Sequence, residues 1–190
     1  GGGCLGDIGT HAFHLACFVS GLTPASVLAD LNSFVDGRQL DDNVHVLLRF
    51  EGGAKGMLWA SQVAPGNENG LRLRIYGDKA GLSWSQENPN YLTFSPLGEP
   101  SRLLGRGGPG LTGAAERVTR IPPGHPEGYL EGFATIYREV ADAIEAKRNG
   151  KDQLDEVTFP DLEDGLQGMR FVDAVLRSHK NGGVWTSLNS

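Results

Sequence analysis

The chain has 190 residues, 39% of them hydrophobic, and a formal net charge of -6. That length fits one domain with a proper core, and the acidity argues against nucleic acid or an anionic membrane surface as a partner. No apolar run approaches the roughly 18 residues that cross a bilayer, and the first residues lack the basic-then-apolar layout of a secretory signal. The two cysteines, Cys4 and Cys17, fall on one predicted helix, too far apart to bridge and outside any CxxC pair, so a reducing, cytoplasmic setting is expected.

A helix is expected from about Leu5 to Ser20, closed by Gly21. The period then changes. Val27 to Val35 reads as a strand, and Val44, Val46, Leu48 and Phe50 alternate with His45, Leu47 and Arg49 as in a half-buried strand. Glu51-Gly52-Gly53-Ala54 turns the chain into Gly56 to Ser61. Leu71, Leu73 and Ile75 alternate with Arg72, Arg74 and Tyr76, and Gly77 to Gly81 leads into Leu82 to Ser85, with a further short strand at Tyr91 to Phe94. Consecutive strands joined by short turns predict an antiparallel sheet. Pro96 to Pro126 is rich in Gly and Pro and is expected as a long loop, strand-like only at Val118 to Ile121.

A helix from about Glu127 to Asn149 gathers Tyr129, Phe133, Ile136, Tyr137, Val140 and Ile144 on one apolar face. The last helix starts near Asp161 with Glu163 and Asp164 in its first turn, and ends with Arg177, His179 and Lys180, the order its dipole favours. Val184-Trp185-Thr186 suggests an edge strand. With no repeat and no boundary in the pattern, the expectation is one α+β domain over residues 1–190: a largely antiparallel open sheet with helices packed on one face.

At about 100° per residue, Asp7, His11, His14 and Phe18 share one side of the first helix, opposite Leu5, Ile8, Ala12, Phe13, Leu15, Ala16 and Val19. A carboxylate and an imidazole at i,i+4 can hydrogen-bond or face one ligand together. Such a His can move a proton near neutral pH while the carboxylate sets its tautomer. Two other readings stay open. One is a solvated face with Asp7 as a capping residue. The other is a metal site from Asp7, His11 and His14, which lacks an obvious further ligand, so no metal is expected.

Gly6-Asp7-Ile8-Gly9-Thr10-His11-Ala12-Phe13-His14-Leu15 resembles the Asp-x-x-x-His signature that opens the C-terminal domain in the glucose–fructose oxidoreductase/inositol dehydrogenase/MocA family. His125-Pro126-Glu127-Gly128-Tyr129, the segment from Phe159 to Phe171, and Asn181-Gly182-Gly183-Val184-Trp185 continue the resemblance in the family's order. It implies hydride transfer between NAD or NADP and a secondary alcohol of a sugar, polyol or cyclitol. In those terms His11 is the general base, and Asp7 contacts substrate and holds the His. Thr10, His14 and His125 are candidate substrate contacts. His14 departs from the family, where an acidic residue is common. His125 lines the pocket or is a helix-entry residue held by Pro126.

Family members also carry a Rossmann domain with a Glu-Lys-Pro motif, whose Lys completes the catalytic set. Neither feature is found in these residues. The cofactor is therefore expected to be bound mainly by an N-terminal domain absent from this chain, leaving the fragment inactive alone. Two GxGxxG matches compete with that expectation. Gly105 to Gly110 has no helix after it, and Pro109 removes a donor. Gly1 to Gly6 is followed by a helix, a strand and Asp30, as in a truncated Rossmann domain, but the later hairpins contradict a parallel sheet. A non-catalytic binding or dimerisation module is the remaining alternative. The resemblance further implies a homodimer or homotetramer formed through the open sheet face. Trp59, Trp84 and Trp185 read as packing or interface residues, and Asp41-Asp42-Asn43 as a turn without a function.

Overall fold

Alternating strands and capped helices recur in the computed structural model, which describes residues 2–151 and 158–189. In chain order, a π-helical turn (Leu5–Gly9) runs into α1 (Thr10–Ser20), followed by β1 (Pro24–Asn32), β2 (Asn43–Phe50) and β3 (Lys55–Ser61). Next come β4 (Arg72–Tyr76), β5 (Ala80–Ser85), β6 (Tyr91–Pro96) and β7 (Arg102–Gly105). The remainder is α2 (Gly113–Val118), α3 (Tyr129–Arg148), α4 (Leu162–Lys180) and β8 (Thr186–Ser187). The strand series that runs unbroken in the sequence is divided between two compact units, one from residues up to 68 and from 161 onward, the other from residues 69–160.

The first unit holds a four-stranded antiparallel sheet in the order β3-β2-β1-β8. Val44, Val46 and Leu48 point inward as the alternation predicts, and the hairpin after them turns at Gly52 and Gly53, both at positive φ. Helices α1 and α4 cover the inner face. Phe13 stacks on Phe171 with ring centroids 4.0 Å apart, and Ala174 and Val175 join the same core. The buried Ser178 hydroxyl accepts from the Ala29 amide at 2.9 Å and donates to the Val184 carbonyl at 2.7 Å, tying α4 to β1. Asp161 caps α4 through the amides of Glu163 and Asp164. In the last turn of α1, Val19 is exposed, while the partly buried Cys17 packs against the core that holds Phe13.

The second unit is an antiparallel meander in the order β4-β5-β6-β7. Here the expectation of a long loop is corrected. Arg102–Gly105 pairs with β6, and Val118 ends a short helix instead of opening a strand. Thr112 starts that helix by accepting from the Ala115 amide, a local cap that outweighs the β-branching of Val118 and Ile121. Polar staples hold the segment. Arg106 binds Asn90 Oδ1 and the carbonyls of Ile121, Pro122 and His125, and pairs with the buried Glu127. Arg117 pairs with the buried Glu139. Burial alone would raise the Glu139 carboxyl, but Arg117 and the Thr158 amide outweigh it and hold it below its ordinary value. The apolar side of α3 is in solvent: Tyr129, Phe133, Ile136, Tyr137, Val140 and Ile144 are all exposed.

Candidate active site

The helix that carries Asp7 and His11 is capped from a distant turn. The Gly3 amide donates to Asp41 Oδ1 at 2.5 Å and the Leu5 amide to Asp41 Oδ2 at 2.8 Å. The Cys4 amide donates to the Asp41 carbonyl at 2.8 Å, and its thiol to Oδ2 at 3.2 Å. A Cβ on Gly3 would lie 2.0 Å from the Asp41 carbonyl oxygen, so only glycine fits this approach. Burial acts to raise the Asp41 carboxyl, but the Leu5 and Gly3 amides hold it below its ordinary value.

Asp42 fixes the turn itself. Its buried carboxylate accepts from the amides of Phe34 and Val35 at 2.9 and 3.0 Å, and its carbonyl accepts from the Gln62 amide at 2.8 Å. The turn read as functionless thus anchors the start of the site helix. Asp7 is not the capping residue; that role belongs to Asp41.

The same contacts test whether this chain holds a dinucleotide. A pyrophosphate on the glycine-rich start of a helix would need free amides there. Those of Gly3, Cys4 and Leu5 are taken by Asp41, and the strands around them are antiparallel, so the truncated Rossmann reading fails. Gly1 lies outside the described residues. After Gly105 to Gly110 comes the short helix α2 in place of the loop expected there, but Arg106 is committed to its own loop.

From Leu5 to Gly9 the helix is wound as a π turn, with the Thr10 amide donating to the Leu5 carbonyl. Such turns occur as single insertions in helices, often at functional sites. The wider winding changes the regular angular step assumed from the sequence, yet Asp7 and His11 both remain exposed while Leu5, Gly9 and Phe13 are buried. Asp7 Oδ2 accepts from Gln62 Nε2 at 3.0 Å. The Thr10 hydroxyl donates to the Gly6 carbonyl at 3.1 Å, one turn back. The half-buried His14 stacks on Phe18, with ring centroids 6.2 Å apart.

Asp7, Thr10, His11 and His14 are therefore brought together on one helix of the first unit. His125 belongs to the second unit, where Arg106 holds its carbonyl at 2.7 Å and the residue is exposed. Among the described residues, no group of three or more His, Cys, Asp or Glu is arranged to hold a metal ion. No described helix is long and apolar enough to cross a membrane.

Sequence reasoning missed Gln62 and Asp41. Only hydrophobic alternation was visible around Gln62, and nothing in the spacing of Asp41 signals a cap more than thirty residues away in the chain.

Residues 1–83 match the GFO/IDH/MocA C-terminal domain. An oxidoreductase from Sinorhizobium meliloti of known crystal structure is 60% identical, with a TM-score of 0.91 over 96% of this chain and 51% of that one. The match to the GFO/IDH/MocA C-terminal domain thus lies in residues 1–83, and the likeness to that oxidoreductase extends over nearly the whole chain. Its likeness extends to the uncharacterized oxidoreductase YfiI of Bacillus subtilis (strain 168), which is 38% identical over 184 residues, covering 95% of this chain and 47% of that protein. An inositol dehydrogenase homolog from Azotobacter vinelandii, solved with NADH and myo-inositol, is 35% identical with a TM-score of 0.91, over 97% of this chain and 49% of that one. The chain thus spans about half the length of the relatives it matches.

Proposed function

We propose that this chain is the substrate-binding and proton-handling half of an NAD- or NADP-dependent oxidoreductase acting on a secondary alcohol of a cyclitol, polyol or sugar. The observation that carries the reading is the pairing of two exposed side chains, Asp7 and His11, on a helix whose first turn is locked by Asp41. His11 takes the proton of the substrate hydroxyl as that carbon is oxidised, and returns it in the reverse direction. Asp7, one helical turn earlier, binds substrate and favours the protonated imidazole that forms. Thr10 and His14, on the same helix, are the further substrate contacts of this reading. A nicotinamide cofactor, held mainly by a dinucleotide-binding domain outside these residues, would supply hydride acceptance.

Self-association belongs to the same proposal. The outer face of the first sheet carries Leu47, Met57 and Trp59 in solvent, Met57 being 75% exposed, and a second copy in a homodimer or homotetramer would cover them. A cytoplasmic setting fits the two free cysteines.

The test is a panel of cyclitols, polyols and aldoses offered with NAD⁺ and NADP⁺ to the protein in which this chain is joined to its dinucleotide-binding domain. His11→Ala is expected to lower the rate at least about a hundredfold, the scale of a lost general base. A near-native rate in that variant removes the assignment. Titration of the 190-residue chain alone with either dinucleotide is expected to show no binding.

A further inference from the structure

We infer that Gln62, at the exit of β3, is a positioning residue that sets the orientation of the Asp7 carboxylate. This rests on the oxidoreductase reading above and adds a residue to it. The side-chain amide donates to Asp7 Oδ2 at 3.0 Å. The backbone of Gln62 is not free to drift, because its own N–H is bound at 2.8 Å to the carbonyl of Asp42, whose carboxylate is buried and doubly hydrogen-bonded. The next residue is fixed as well, its amide donating to Ser61 Oγ at 3.2 Å. On the other side, the helix lies close on β3: a Cβ built on Gly9 would come within 4.0 Å of Ala60 Cβ.

A rigid path therefore runs from the buried Asp42 through Gln62 to Asp7, while Asp41, the neighbour of Asp42, holds the start of the same helix. The carboxylate torsion of Asp is intrinsically broad and nearly two-fold, so a long exposed helix face leaves it undirected. One N–H on Oδ2 selects an orientation. Among the described residues Oδ1 accepts no hydrogen bond, which leaves that oxygen for the substrate hydroxyl or the His11 ring. Asp7 thus acts through Oδ1, and Gln62 acts only through Asp7.

Two measurements test this. In the isotopically labelled 190-residue chain, the side-chain amide protons of Gln62 are followed by NMR in the native chain and in Asp7→Ala. They are expected to move toward the position of a solvated glutamine amide, and unchanged signals would overturn the contact. The second measurement is steady-state kinetics in the protein that carries this chain with its dinucleotide-binding domain. Gln62→Met keeps the length and loses the donor, and is expected to lower kcat about tenfold with KM little changed, the scale of one hydrogen bond to a charged group.

Gln62→Lys, which restores an N–H donor, is expected to recover most of that loss, whereas Gln62→Glu sets a like charge on Asp7 and falls below Gln62→Met. A residue that merely fills space gives an order by size, with Met and Glu both near native. Native kcat in Gln62→Met, or no recovery in Gln62→Lys, overturns the inference and leaves the oxidoreductase reading standing. If the native protein oxidises no alcohol with either dinucleotide, that reading fails and this inference with it, whatever the NMR signals show.

Discussion

Replacing Asp41 by Ala removes the cap of the site helix in one step. Two backbone amides, of Gly3 and Leu5, lose an anionic acceptor, and the Cys4 thiol loses one of its two partners, keeping the Ala60 carbonyl. Loss of an ordinary N-cap costs about 0.5–2 kcal/mol, and a single hydrogen bond to a charged group is worth about 1.5–3 kcal/mol. The site is only part-buried, so water replaces some of what is lost and the Coulombic share is screened. We expect a net cost of about 2–3 kcal/mol for Asp41→Ala, and about half of that for Asp41→Asn, which keeps one acceptor oxygen. Urea unfolding of the 190-residue chain measures both, as a fall in midpoint at constant slope.

The pH dependence supplies a second check on the same residue. The folded carboxyl sits below its unfolded value of about 3.9. Between the two values the unfolded chain binds more protons, so the stabilisation is present above the unfolded value and is lost as pH falls through the folded one. The difference between native and Asp41→Asn is thus largest near neutrality and shrinks in the acid range below about pH 4. A loss under about 0.5 kcal/mol for Asp41→Ala, the level of an ordinary surface substitution, or a difference that is flat with pH, would refute the capping argument.

Two further outcomes follow from the packing of the first unit. Phe171→Ala removes a fully buried ring stacked on Phe13 and is expected to cost about 3–5 kcal/mol in the same unfolding assay; a cost below 1.5 kcal/mol, the range of tolerated apolar swaps, would mean the ring is not packed as described. Burial, joined by Asp41, pushes the Cys4 thiol up to about 12, and burial pushes Cys17 up to about 11. Both should therefore react with a thiol-specific reagent at pH 8 at least about tenfold more slowly in the folded chain than in denaturant, and equal rates would contradict the burial.

What the sequence alone determined is local. Alternation over Val44 to Phe50 set the register face of β2, because successive side chains on a strand point to opposite sides. The acid-first, base-last order of 161–180 marked α4 and its Asp161 cap, because those charges act within a single turn. The motif from Gly6 to Leu15 placed Asp7 and His11 on one helix, and the π turn between them left both exposed. Beyond that range the pattern is silent. The apolar residues of α3 share one face as the period predicts, yet that face is exposed, since periodicity identifies a face and not what covers it.

Only the tertiary structure decided that the glycine-rich start is closed to phosphate by Asp41, that Asp7 is held by Gln62, and that Arg106 organises the loop around His125. Each of these joins residues far apart in the chain. A single hydrogen bond between distant segments leaves no period, no spacing and no change of composition in the sequence, and it forms because the surrounding strands bring the two ends within 3 Å.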